Sequence, residues 1–195
     1  MLLLAAWVAG LAGGTGFMMQ EAGACTRILY VGDRNMVATG RNMDWNEDMM
    51  SNLWVFPRGI RRNGLAGPNS LDWQSRYGSV IVSGYEAGST DGMNEKGFVA
   101  NLLFLAESDY GLSLSLWLQY FLDNYATVDE AVRAQRQNPL HLISSKPIPN
   151  GKESKVHLSI SDATGDSAIF EYIDGTLVIH HGREYQVMTN LQVYS

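Results

Sequence analysis

A chain of 195 residues with 46% apolar and 17% charged side chains holds enough material for one well-buried core, so one soluble globular domain is expected. The formal charge of −6 leaves no broad basic face to displace counterions from a phosphate backbone, which argues against nucleic acid as a partner. The single cysteine has no second thiol for an internal disulfide, so its sulfur invites another explanation.

The chain begins with "MLLLAAWVAGLAGGTGF", an apolar, Gly/Ala-rich run too short and too interrupted to span a bilayer. Ala22-Gly23-Ala24 follows directly before Cys25, the small-residue pattern of a leader-peptidase site, although no Lys or Arg precedes Arg27. Residues 1–24 are therefore predicted to be a removable leader and 25–195 the folded body, in the periplasm or secreted. "TRILYVG" and "MVATGRN" then read as two strands around the turn "DRN", and "LWVFPRG" continues in extended style. Arg58, Arg61 and Arg62 fall in the Pro/Gly/Asn-rich "PRGIRRNG" and are expected on a solvated loop.

"RYGSVIVSGY" and "TDGMNEKGFVANLLFL" read as sheet-core strands, with a tight turn at Asn94 to Gly97. The period then changes: Leu114, Trp117, Leu118, Phe121, Leu122 and Tyr125 recur at steps of three and four and mark one apolar helix face. Trp54, Trp73 and Trp117 are read as core. A second helix is predicted from "TVDEAVRAQRQ", where Thr127 accepts from the backbone three residues on, Glu130 reaches back, and Pro139 stops the run. Strands return in "KVHLSISDATGDSAIFEYIDGTLVIHHGREYQVMT", with turns at "ATGD" and at the hairpin signal "IDGT". This order favours an α+β fold, an antiparallel sheet with helices on one face. The adjacent His180 and His181 point to opposite faces of a strand and so do not suggest a shared metal ion.

Cys25 admits three readings: a buried small hydrophobe, a lipid-anchored residue, or a nucleophile. Lipidation is disfavoured because Ala22 stands where a large aliphatic residue belongs and because a strand begins at once. Cleavage after Ala24 would give Cys25 a free α-amine beside its own thiol. Free values of about 7.7 to 8.0 for an α-amine and about 8.5 for a thiol suit the amine to act as base. No histidine is then needed, and none lies in a recognisable thiol-protease context.

The stretches "ACTRILY", "GRNMDW", "DGMNEKGFVANLL", "HLSISDATGDSAIFEY" and "MTN", in that order, resemble the choloylglycine hydrolase family of linear amide carbon-nitrogen hydrolases. These are N-terminal-nucleophile (Ntn) enzymes that include penicillin V acylases and bile salt hydrolases. The resemblance implies the αββα sandwich, here incomplete: one sheet, its two helices and the start of a second sheet. It implies Cys25 as nucleophile, Arg41 and Asp44 against the thiol and amine, and Asn190 as side-chain donor to the oxyanion. Arg41 and Asp44 stand three apart, so a bend or strand end near Met43 is required to bring both to one site. Met43, Trp45 and Phe104 flank these positions and are candidates for an acyl pocket, with a backbone donor near Phe104.

The implied activity is cleavage of an acyl amide of the penicillin V or N-acyl homoserine lactone kind through a cysteine thioester. A bile salt hydrolase, or an inactive or lipid-anchored binding domain on the same scaffold, are the alternatives. The implied partner is a small-molecule acyl amide, with no cofactor or metal, no nucleic acid, and no membrane once the leader is gone; a homo-oligomer is admitted because related enzymes are tetramers. Family members are longer and carry a further active-site arginine in a C-terminal half. "TNLQVYS" also departs from the family's usual Thr-Asn-Ser-Pro, so a cut or frame-slipped copy is expected.

Overall fold

A computed structural model describes residues 25–65, 70–105, 116–140, 156–184 and 186–190. The predicted leader and Leu114 lie outside the described residues. The N-terminal strands are β1 (Thr26–Val31) and β2 (Val37–Asn42), joined through a short 3₁₀ turn at Asp33–Asn35, then β3 (Leu53–Phe56). A small hairpin follows, β4 (Arg61–Asn63) and β5 (Asp72–Gln74), then β6 (Ser79–Gly84), β7 (Gly88–Asn94) and β8 (Val99–Phe104). Two helices, α1 (Trp117–Asn124) and α2 (Val128–Gln137), precede β9 (Val156–Ser161), β10 (Ser167–Ile173), β11 (Thr176–His181) and β12 (Val187–Thr189).

Seven strands form one antiparallel sheet in the order β11-β10-β9-β8-β7-β6-β3, and a second sheet is laid out as β12-β1-β2. Alternation gives the large sheet two different faces. Ala100, Leu102, Leu158, Ile160, Ala168, Phe170 and Tyr172 pack beneath Trp117, Leu118, Phe121 and Leu122 of α1 and Val128, Ala131 and Val132 of α2. The Phe121 ring lies edge-on to Phe170, centroids 5.2 Å apart. Gly92 permits the close approach of α1, since a Cβ there would stand 2.7 Å from Leu122 Cδ1. The opposite face carries Leu103, Ile169, His157, Ser159, Ser161, Ser167 and Glu171, all buried, and turns toward the small sheet.

Polar groups fix the helix ends. Thr127 Oγ1 accepts from Glu130 N at 3.2 Å, as its position predicts, whereas the Glu130 carboxylate reaches one residue further back, to Ala126 N at 2.9 Å. Asp162 Oδ2 takes Val128 N at 2.8 Å, and Asn94 Nδ2 donates to the carbonyls of Leu122 and Tyr125 at the end of α1. Thr127→Ala is expected to cost about 1 kcal/mol, the usual value for a lost N-cap, read as a melting temperature lower by about 2–4 °C.

The sequence reading is corrected at two places. Arg62 is no loop residue: it lies in β4, its side chain is 14% exposed, Nε donates to Asp123 Oδ2 at 2.8 Å, and its guanidinium sits 4.6 Å from the Phe56 ring centre. The buried Asp123 carboxylate needs donors and takes them from Arg62, Trp73 and Gln119, which draws the β4-β5 hairpin onto α1. Trp54 is not core either, being 45% exposed on the edge strand β3, while Trp117 is fully buried and Trp73 half-buried. The turn at Asp174-Gly175 is the predicted hairpin, both residues holding positive φ (48° and 72°).

Candidate active site

The small sheet explains how Cys25 is placed. β1 is its centre strand, and Thr26 pairs with Asn42 on one side and with Thr189 on the other. Cys25, Met43 and Asn190 adjoin these three residues just beyond the paired ends of β1, β2 and β12. One residue further in, Arg27 is paired with Arg41 and with Met188. Packing agrees: Cys25, 2% exposed, is in one apolar cluster with Leu103, Ile169 and Met188, and Met43 packs against it. The thiol is therefore lodged between the two sheets.

β2 ends at Asn42, and Met43 to Trp45 leave the ladder, the strand end that the Arg41–Asp44 spacing demands. The thiol contacts the Asp44 main-chain carbonyl at 4.0 Å. The Asp44 carboxylate is exposed and accepts from Asn42 Nδ2 at 2.8 Å, while Asn42 Oδ1 accepts from Thr26 N at 2.8 Å. Asn42 thereby ties the residue after Cys25 to the candidate carboxylate. Arg41 turns its guanidinium to the large sheet, Nη1 to Asp91 Oδ2 at 2.6 Å and Nη2 to the Leu102 carbonyl at 2.7 Å. Asp91 Oδ1 accepts from Asn101 Nδ2 at 2.9 Å. Burial pushes the Asp91 carboxyl above its usual range, while Arg41, Asn101 and Thr90 pull it back.

The three pocket candidates fall at one end of the sandwich. Met43 touches the thiol cluster, and the Trp45 and Phe104 rings are 6.3 Å apart at 54°. Trp45 is fixed by its Nε1–H, which donates to Tyr85 Oη at 2.6 Å; Tyr85 in turn donates to Glu47 at 2.5 Å. Deeper in, Arg27 is wholly buried and donates to Ser167 Oγ at 3.2 Å and to the carbonyls of Ile160 and Gln186 at 3.4 Å. Burial lowers the Arg27 guanidinium to about 10. Sequence reasoning missed Asn42, Asp91 and Asn101. Asn42 and Asp91 stand inside the motifs quoted for the site, and a buried Arg41 demands an acid that alternation along "TDGMN" could have supplied.

His180 and His181 engage different carboxylates, Glu171 at 3.1 Å and Asp166 at 2.9 Å. Among the described residues, no group of three or more His, Cys, Asp or Glu is arranged to hold a metal ion, and no helix is long and apolar enough to cross a membrane.

A helix layer on a large antiparallel sheet, with a second sheet across from it and an N-terminal-side cysteine between the sheets, is the Ntn-hydrolase fold in part. A penicillin V acylase structure from Agrobacterium tumefaciens superposes with a TM-score of 0.80 at 55% identity, covering 87% of this chain and 53% of that one. The fold alone is shared with a mutant conjugated bile acid hydrolase from Clostridium perfringens, at 20% identity and a TM-score of 0.73, over 87% of this chain and 54% of that one. Residues 25–195 match the family of linear amide C-N hydrolases, choloylglycine hydrolase family, and the chain belongs to it. A penicillin V acylase from Pectobacterium atrosepticum is 49% identical over 184 residues, 86% of this chain. The chain spans 49% of that relative's length.

Proposed function

We propose that the protein hydrolyses a linear acyl amide of the penicillin V kind, with Cys25 as an N-terminal nucleophile. The observation that supports this reading is the seat of Cys25 between the two sheets, in one apolar cluster with Leu103, Ile169 and Met188 and with Met43 packed against it. The similarity to penicillin V acylases supports it. Removal of the leader after Ala24 frees the Cys25 amine. That amine takes the thiol proton, and the thiolate attacks the substrate carbonyl carbon. The C–N bond breaks as the ammonium protonates the leaving amine, leaving a thioester. Water, deprotonated by the same amine, opens the thioester to a carboxylic acid and restores the thiol. Asp44 holds the ammonium, Arg41 favours the thiolate, and Asn190 donates to the oxyanion of both tetrahedral intermediates.

The apolar and aromatic side chains of Met43, Trp45 and Phe104 suit a phenoxyacetyl or fatty acyl group, and N-acyl homoserine lactones belong to the same substrate chemistry. Export to the periplasm or beyond is part of this reading, because the base exists only after leader removal. The test is the intact mass and N-terminal sequence of protein expressed from its own gene, followed by product release from penicillin V, an acyl homoserine lactone and conjugated bile acids. A mature chain starting at Cys25 with a free amine, releasing phenoxyacetic acid, is the expected result. A retained leader or a lipid on Cys25 would remove the base and leave a binding domain on the same scaffold.

A further inference from the structure

We propose that Asp91, itself held by Asn101, is a positioning residue that holds the Arg41 guanidinium at the wall of the large sheet on which Cys25 packs; the proposal rests on the roles of Cys25 and Arg41 given above. Arg41 and Asp91 form a close pair at 2.6 Å, with side chains 10% and 17% exposed, on strands of different sheets. Such a pair is shielded from solvent and from salt, unlike a surface bridge. Asp91 is fixed in turn: Asn101 is its cross-strand partner and donates to its second oxygen. The other terminal nitrogen of Arg41 is on the Leu102 carbonyl, one peptide from Leu103, whose side chain packs on Cys25. The guanidinium is thus pinned at the wall that the thiol leans on, with its buried Nε bearing no hydrogen bond.

A second observation makes the carboxylate necessary. Arg41 stands directly opposite Arg27 in the register of β1 and β2, and both side chains face the interior. Like charges so placed repel. Arg27 donates to Ser167 Oγ and to main-chain carbonyls, and Asp91 gives Arg41 a counter-charge on the large sheet. Without that charge, Arg41 loses the force that keeps it extended across the gap between the sheets.

Asp91→Asn preserves the shape and one acceptor. In protein expressed from its own gene, kcat for penicillin V is expected to fall about 10- to 100-fold, the scale for a misplaced catalytic group, with KM within about twofold. In an Arg41→Met background the same change is expected to do nothing further, because the two residues act as one unit. An equal loss in that background, or full turnover in Asp91→Asn alone, overturns the proposal. Should Asp91→Asn fail to fold, Asn101→Ser carries the same cycle: it loosens Asp91 without removing its charge and is expected to lower kcat about threefold, again only when Arg41 is present. Alkylation of Cys25 by iodoacetamide separates the role of Arg41 from that of Asp91. Arg41→Met is expected to slow it, and unchanged alkylation together with unchanged turnover would refute the role of Arg41 itself, and Asp91 with it.

Discussion

Cys25→Ala is expected to abolish release of phenoxyacetic acid from penicillin V while the protein still folds. The substitution removes one sulfur from an apolar cluster in which the thiol's recorded polar contact is a 4.0 Å approach to the Asp44 carbonyl. Such a deletion costs on the order of 1 kcal/mol, a shift of about 2–4 °C in melting temperature. Activity is a different matter, since no thioester forms without the thiol and the α-amine has no proton to take. Cys25→Ser keeps an atom of similar reach but offers a hydroxyl far less acidic than a thiol, so turnover should fall by more than about 100-fold. The check is product release at saturating substrate beside a thermal melt of each variant. Turnover by Cys25→Ala at even a few per cent of the parent would be incompatible with the proposed chemistry.

The second large effect is expected at Asn190. Asn190→Ala should lower kcat about 100- to 1000-fold, as loss of one oxyanion donor typically does, and leave KM nearly unchanged because the oxyanion exists only beyond the ground state. Its placement makes the effect specific. Asn190 follows Thr189, the partner of Thr26, as Cys25 precedes Thr26. An apolar contact role predicts the reverse pattern, a raised KM at constant kcat, and steady-state kinetics on the purified variant tell the two apart. Asn190→Asp sharpens the test, since a carboxylate at this point repels the developing charge and should be at least as damaging as alanine.

Much of this arrangement was legible in the residues. The strand–helix–helix–strand order, the Thr127 cap and the Asp174-Gly175 hairpin depend on local spacing, and local spacing is what periodicity records. An antiparallel sheet with helices on one face follows from the same patterns, while its seven strands and their order do not. The family motifs named Met43, Trp45 and Phe104 as flanking the site, and the structure packs Met43 against the Cys25 cluster and sets the Trp45 and Phe104 rings 6.3 Å apart. What stayed hidden depends on contacts between distant parts of the chain. Arg41 and Asp91 are 50 positions apart, and Arg62 and Asp123 are 61. No local pattern tells that "PRGIRRNG" closes a hairpin over the end of α1, because the reason lies in the buried Asp123 carboxylate and its need for donors. Trp54 misled for a related reason: an indole is a frequent core residue, but an edge strand gives it only one side to pack against.

The central position of β1 in the small sheet also sets an order of events in folding. Arg27 bonds to the carbonyl of Gln186 across 159 positions of sequence, and among the described residues β1 has both its neighbours only when β12 has joined it. The hairpin of β1 and β2 forms from neighbours, but β12 pairs with β1 only after all the residues between them have been made. Closing so long a loop is entropically costly and slow compared with helix or hairpin formation. The large sheet and its helices, with mostly sequential strand partners, can therefore assemble first and offer a finished wall for the last strand to dock against. Because β1 follows directly on Cys25 and β12 runs directly into Asn190, the surroundings that the thiol shares with Met188 are finished only once this long-range pairing has formed.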